Sequence, residues 1–151
     1  MEISAFGAPI DGVNGVLEQA GPERIRSGSF IPATGTMEFD TADLKSMERN
    51  GTLGDVITHE MGHVLGFGTI WSDKRVLTGA GTRKPLFTGA AAKKEYAKLL
   101  KKPTPQSVPL ENTGGEGTAD SHWLETKFGN ELMSGFVASA GNPISRMTIA
   151  S

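Results

Sequence analysis

The pattern of hydrophobic and polar positions predicts an alternation of short strands and helices in the first half of the chain. Residues 2–6 form a strand-like run, and residues 35–40 alternate apolar and polar side chains as a half-buried strand does. Two helices are predicted over residues 42–49 and 53–65, because each apolar run ends at a glycine that suits a helix C-terminus. Between the strands, Gly21-Pro22 is interpreted as a turn.

The second half of the chain is predicted to be less regular. Residues 66–88 are interpreted as a loop, and residues 90–102 as a helix that two following prolines end. Residues 103–121 form a long connection rich in Pro and Gly, and a structureless segment of this length inside a domain usually has a function. A final helix-like run begins at Ile144. Mixed strands and helices of this kind indicate the α+β class.

Composition narrows the chemistry that the chain can perform. Its 151 residues correspond to one domain, and the absence of cysteine excludes disulfides, cysteine-bound zinc and thiol catalysis. A formal net charge of -2 gives no electrostatic footprint for DNA or RNA, so no nucleic-acid partner is expected. No run approaches the ~18 apolar residues of a membrane span, and residues 1–4 do not resemble a signal peptide. The chain has only three histidines: His59, His63 and His122.

Two of these histidines belong to an HExxH motif on the second predicted helix. Residues four apart on a helix lie on one face, so His59 and His63 can bind the same metal ion. Glu60 lies beside that face, where a general base for a metal-bound water is needed. The alternative without a metal site is a surface helix with two solvated histidines.

The other side of this helix is predicted to face the core. Its apolar stripe lies opposite the histidines and comprises Leu53, Ile57, Met61, Val64 and Leu65. Val56 falls on the histidine side, where it is expected to form the floor of a metal site. This arrangement predicts a helix with its histidines turned toward an open cleft.

Gly66 extends the motif to HExxHxxG, which resembles the start of the metzincin signature. The usual third histidine of that signature would stand at position 69, which is Thr69 here. The remaining imidazole is that of His122, while Glu125 and Glu131 are alternative ligands for a site with two histidines and a carboxylate.

The combination of motifs resembles the leishmanolysin-type metallopeptidases. The HExxHxxG motif is followed far downstream by Ser121-His122-Trp123 and then by Asn130–Gly135, which contains Glu-Leu-Met. The resemblance implies zinc as cofactor, bound by His59, His63 and His122, with Glu60 as the general base. It also implies that Met133 is the methionine of a Met-turn beneath the metal, although simple core packing is the alternative for this residue.

The resemblance further implies a zinc-dependent endopeptidase with a zincin fold of the metzincin type. We expect a small mixed sheet and the active-site helix in an upper lobe, about residues 1–70, and an irregular lower lobe, about residues 71–151. Because cysteine is absent, the chain resembles a bacterial branch of the family, and it is expected to be a truncated catalytic domain. The strand at residues 35–40 is the candidate edge strand for pairing with an extended substrate, and an ordinary strand of the sheet is the alternative.

Partners and location follow from the same resemblance. A protein or peptide substrate is expected, the parent protein is expected to be secreted or at the cell surface, and membrane association would require parts outside this chain. A non-catalytic or vestigial zinc-binding domain of a secreted protein remains the alternative function. No EF-hand pattern supports a calcium site.

Overall fold

A computed structural model describes residues 1–136 and 139–151, and these form a mixed α+β protein. The chain divides into two compact units. The first unit is Met1–Ile70 with the described part of Val137–Gly141, and the second is Trp71–Phe136 with Asn142–Ser151. None of the helices in the described residues has the length and hydropathy of a membrane-spanning segment.

The first unit is built on a three-stranded mixed sheet. Its strands are β1 (Glu2–Ala8), β2 (Glu18–Ile25) and β3 (Pro32–Asp40). The order is β1-β3-β2, with β1 parallel and β2 antiparallel to β3. The predicted strand at residues 35–40 is therefore the central strand of the sheet, and its interpretation as the edge strand was wrong.

The two edge positions belong to β1 and β2, and the sequence pattern did not predict β2. Gly21-Pro22 lies inside this strand rather than at a turn. A proline is tolerated there because an edge strand can lack a donor on one side, and the register shifts between Pro22 and Ile25. The turn chemistry of Gly-Pro therefore marks an irregular edge strand in this protein.

Two helices follow the sheet, α1 (Leu44–Asn50) and α2 (Leu53–Leu65). The predicted bounds of the second helix are confirmed, and both helices end at glycines with positive φ, Gly51 at 75° and Gly66 at 116°. The left-handed backbone conformation at this position favours glycine, because a residue with a Cβ atom would be strained there.

Helix α2 packs against the sheet through a small apolar core. The buried cluster consists of Met37, Phe39, Met47, Val56 and Val64. Strand β3 contributes its inward residues, and Gly35 brings the strand close to the helix. A Cβ built at Gly35 would lie 2.6 Å from Val64 Cγ1, so the close approach depends on glycine.

The orientation predicted for α2 was wrong in part, since Val64 lies in the core cluster and Leu53 packs against it, whereas the rest of the stripe does not. The buried residues of this helix are Val56, His59, Glu60, His63 and Val64. The predicted core stripe is instead exposed at Ile57 (38%), Met61 (40%) and Leu65 (57%). Val56 belongs to the core cluster and not to the floor of a metal site. Burial of the histidines is compatible with their polarity because their ring nitrogens have partners.

The second unit contains a small antiparallel sheet and three helices. Its sheet has the order β4-β5-β6, formed by β4 (Leu77–Thr78), β5 (Leu86–Phe87) and β6 (Val108–Pro109). The helices are α3 (Ala90–Leu99), α4 (Glu125–Phe128) and α5 (Arg146–Ile149). The predicted loop over residues 66–88 thus includes two short strands, and the predicted helix at 90–102 ends earlier.

Aromatic side chains form the core of the second unit. Trp123 is fully buried, and its ring lies 5.3 Å from that of Trp71 and 5.6 Å from that of Phe87. Tyr96 packs against Phe128 at a ring distance of 5.5 Å. Trp123 directly follows His122 in the chain.

Candidate metal centre

Helix α2 brings the first two histidines together. His59 and His63 are each 6% exposed, and their Nε2 atoms lie 3.0 Å apart. The helical spacing predicted this pairing, because residues four apart share one face. Two imidazole ligands at about 2.0–2.1 Å from a tetrahedral zinc would lie about 3.3 Å apart, close to the separation seen here.

A backbone carbonyl fixes the tautomer of His63. Its Nδ1 lies 2.9 Å from the carbonyl oxygen of Phe67, and a carbonyl can only accept a hydrogen bond. The proton is therefore on Nδ1, and Nε2 carries a lone pair. Helix α2 ends at Gly66, and the Phe67 N–H donates to the Gly62 carbonyl. This turn of the backbone brings the Phe67 carbonyl back to the imidazole ring of His63.

His122 is oriented in the same way. Its Nδ1 lies 3.0 Å from the carbonyl oxygen of Thr118 and 2.9 Å from Ser121 Oγ, and the ring is 5% exposed. Ser121 Oγ donates its own proton to the Gly117 carbonyl, at 2.7 Å. The Nδ1–H of His122 is therefore the donor toward Thr118, which is the usual arrangement for a histidine that ligates through Nε2.

Glu111 holds the segment that carries His122. The Glu111 N–H donates to the His122 carbonyl at 2.9 Å, and its buried carboxylate accepts the N–H groups of Asn112, Thr113 and Glu125. Burial acts to raise the pKa of Glu111, but the hydrogen bonds from Thr113, Glu125 and Asn112 outweigh it and lower the pKa. The long connection that precedes His122 is thus anchored at one buried carboxylate.

One ring nitrogen from each of His59, His63 and His122 lies within 4.8 Å of the others, so the group could hold a metal ion. The donor set fits zinc, because imidazole nitrogen is one of its preferred ligands and a site with three protein ligands keeps a position open. The lone pairs assigned to His63 and His122 by their hydrogen bonds also fit, since a metal ligand must be the unprotonated nitrogen.

The two alternative carboxylate ligands lie outside this group. The Glu131 carboxylate accepts the Met133 N–H at 2.7 Å and the Ser145 N–H at 2.9 Å, and it also accepts the Thr148 hydroxyl. Its oxygens are therefore engaged in structural hydrogen bonds. Among the described residues, no hydrogen-bond partner faces the buried Oε2 of Glu125.

Met133 is buried in a turn. It is 1% exposed, and the Ser134 N–H donates to the Glu131 carbonyl at 3.0 Å. The Met133 carbonyl accepts the Trp123 N–H, also at 3.0 Å. The backbone of the turn is therefore hydrogen-bonded to the residue that follows His122.

Glu60 lies beside the histidine pair. It is 4% exposed, and its Oε1 lies 3.8 Å from His59 Nε2. Burial raises the pKa of Glu60, and the charge and hydrogen bond of the Glu18 carboxyl raise it further. Sequence reasoning missed Glu18, because it lies 42 positions earlier on a strand that was not predicted, and no local motif marks it.

The fold and the site together define an α+β protein with three buried histidines that could hold a metal ion. Residues 19–151 match the family model described as leishmanolysin, which is well over half of the chain. The chain therefore belongs to the leishmanolysin family, which consists of zinc-dependent metallopeptidases, and the resemblance of its motifs is confirmed. No curated protein sequence matches the chain at a significant level.

Proposed function

We propose that the chain is the catalytic domain of a zinc-dependent endopeptidase. His59, His63 and His122 would hold the zinc ion, and Glu60 would act as the general base. The observation that carries the proposal is the cluster of three histidine nitrogens within 4.8 Å, in a chain that belongs to a metallopeptidase family. The proposal includes one catalytic domain over residues 1–151, with a lobe of about residues 1–70 and another of about residues 71–151.

Glu60 and two backbone carbonyl groups have defined roles in the proposed reaction. A zinc ion, when bound, supplies a Lewis acid that polarises the scissile carbonyl and lowers the pKa of water. Glu60 accepts a proton from the attacking water at its carboxylate and delivers it to the leaving amine. The Phe67 and Thr118 carbonyls keep the rings of His63 and His122 in the tautomer with Nε2 unprotonated.

The substrate class follows from the family and from the sheet. Members of the family are peptidases, so a protein or peptide substrate is proposed. Strand β2 is an edge strand, and an extended peptide can add to an edge strand through main-chain hydrogen bonds. Because β2 also packs against the active-site helix α2, it replaces residues 35–40 as the proposed docking strand. Secretion or a surface location is proposed from family membership.

Met133 is proposed as the Met-turn residue. Its burial and its place in a turn that is hydrogen-bonded to Trp123 support this role. The thioether would provide a soft apolar support for the zinc ligands.

The proposal is tested with two single variants of the chain. Glu60→Ala is expected to retain one zinc per chain and to lose cleavage of a peptide library by at least ~100-fold, since a positioned base contributes about 10²–10⁴-fold. His122→Ala is expected to lose bound zinc, measured by elemental analysis after dialysis. Glu116→Ala, at an exposed position, is the control and should behave as the parent does. Full cleavage by Glu60→Ala, or a zinc-loaded parent that cleaves no peptide, would contradict the proposal.

A further inference from the structure

Four hydrogen bonds form a closed circuit within the second unit. The Trp123 N–H donates to the Met133 carbonyl at 3.0 Å, and the Met133 N–H donates to Glu131 Oε2 at 2.7 Å. The Thr148 hydroxyl donates to Glu131 Oε1, and the indole Nε1–H of Trp123 donates to Thr148 Oγ1 at 2.8 Å. The circuit therefore begins and ends at Trp123, once at its backbone and once at its side chain.

The Thr148 hydroxyl connects the two side chains of the circuit because it accepts one hydrogen bond and donates another. An indole N–H can only donate, so the Trp123 indole uses a lone pair of Oγ1. The hydroxyl proton is then directed to the Glu131 carboxylate, which accepts it. A side chain without a hydroxyl at position 148 would break the circuit at both of these bonds.

The short helix α5 holds Thr148 in place for this contact. Ser145 caps the helix, and its Oγ accepts the Thr148 N–H at 3.1 Å. The Ser145 N–H in turn donates to Glu131 Oε1 at 2.9 Å. Because Glu131 thus accepts hydrogen bonds from both α5 and the turn that contains Met133, its buried carboxylate joins these two segments.

The circuit reaches the candidate metal centre at two residues. Trp123 directly follows His122, whose ring nitrogen belongs to the histidine group, and Met133 is the proposed Met-turn residue. Any rotation of the Trp123 side chain or backbone is transmitted through one peptide bond to His122. The position of the third candidate ligand therefore depends on how firmly Trp123 is held.

We propose that Thr148 is a positioning residue whose hydroxyl fixes Trp123 against the turn of Met133 and thereby keeps His122 in place for the metal. The proposal rests on the function proposed above, since it concerns a ligand of that zinc site. Thr148 touches neither metal nor substrate in this role, and it acts through Trp123 and Glu131.

Packing and hydrogen bonding constrain Trp123 in different ways. Its indole ring lies among three aromatic side chains, at ring distances of 5.3, 5.6 and 6.3 Å from Trp71, Phe87 and Phe128. Apolar burial is non-directional, whereas a hydrogen bond weakens steeply when its angle departs from linearity. The bond to Thr148 therefore sets the rotation of the indole. Without it, a buried N–H is left unpaired, and the indole is expected to turn toward another acceptor.

The first arm of the test measures the zinc dissociation constant of Thr148→Val and Thr148→Ser by competition with a chelator. Valine keeps the branched shape and removes the hydroxyl, so we expect weaker zinc binding by about 10-fold, since outer partners of metal ligands contribute about 10- to 100-fold. Serine keeps the hydroxyl, so its constant should stay within about threefold of the parent. Thr41→Val, at an exposed position, is the matched control and should bind zinc as the parent does.

The same variants separate positioning from a purely structural role. Thermal melts of the metal-free variants identify a temperature at which all are folded, and zinc binding is compared there. A Thr148→Val variant that melts lower than the parent but binds zinc equally well would overturn the proposal, as would an equal loss of affinity in Thr148→Ser. If the parent binds zinc and cleaves no peptide, the proposed function fails, and the dissociation constants still decide the role of Thr148. A parent that binds no zinc would overturn both proposals.

The second arm tests the contact itself by nuclear magnetic resonance on the isotope-labelled, metal-free chain. The chain has two tryptophans, so it gives two indole N–H proton resonances. We expect the Trp123 resonance to move upfield in Thr148→Val, because its hydrogen bond to Oγ1 is lost, and to return toward the parent position in Thr148→Ser. Unchanged indole resonances in Thr148→Val would show that the hydroxyl does not hold Trp123, and the proposal would be withdrawn.

Discussion

Single backbone carbonyls decide the state of the ring nitrogens at this site. Phe67 and Thr118 each receive an Nδ1–H, which leaves Nε2 of His63 and of His122 as the atom suited to a metal. Neither carbonyl can be recognised from residue type, since every residue has one. The sequence could therefore identify the candidate ligands but not the groups that orient them.

Asp40 provides a prediction at the same scale. Its carboxylate accepts the N–H of Ala42, then those of Gly12 and Asp11, and these bonds hold its pKa below the ordinary value. A lowered pKa in the folded state means that this stabilisation is present above the ordinary range and is lost as the pH falls through the folded-state value. We expect Asp40→Asn to lower the melting temperature by a few degrees near pH 7 and to differ less from the parent in acid.

The measurement is a series of thermal melts between about pH 3 and pH 7. Asp73→Asn, the same substitution at an exposed position, serves as the control and should leave the melting temperature unchanged at every pH. A constant difference between Asp40→Asn and the parent across the series would contradict the assignment of the stabilisation to the ionised carboxylate.

At the scale of elements, the sequence predicted α2 well and its orientation poorly. The capping glycine and the helical periodicity set the bounds, Leu53–Leu65, and both signals are local. Which face is buried depends on β3, and the burial of the HExxH face was not evident because histidine and glutamate count as polar. Strand β2 was missed for a related reason, since Gly21-Pro22 suggests a turn until its pairing with β3 is known.

The contact of β3 with α2 is testable through two glycines. In Gly35→Ala the new methyl group would lie 2.6 Å from Val64 Cγ1 and 2.7 Å from the Gly21 carbonyl oxygen, and the backbone oxygen cannot move aside cheaply. We expect a loss of about 1–3 kcal/mol in the free energy of unfolding, measured with denaturant.

Gly54→Ala is the matched control for this substitution. Gly54 lies within α2, and a Cβ built there meets no atom within 4 Å. Since alanine has a higher helix propensity than glycine, we expect the free energy of unfolding to increase by about 0.4–1 kcal/mol. If Gly35→Ala were as stable as Gly54→Ala, the tight approach of β3 to α2 would be disproved.

At the scale of the whole molecule, family membership and the histidine group support one account. The sequence motifs identified the leishmanolysin family, because HExxHxxG, a delayed histidine and Glu-Leu-Met occur in order. They could not identify Glu18 or choose between His122 and the two glutamates on spacing alone. These choices depend on pairings between residues far apart in the chain, such as the hydrogen bonds that engage Glu131.

The central claim is a zinc site made of three histidines, and X-ray absorption at the zinc edge tests it most directly. The zinc-loaded parent is expected to show one zinc per chain with three imidazole nitrogens at about 2.0–2.1 Å. His122→Gln, prepared with equimolar zinc, should show one imidazole fewer. A parent spectrum with two imidazoles, or a His122→Gln spectrum identical to that of the parent, would contradict the account.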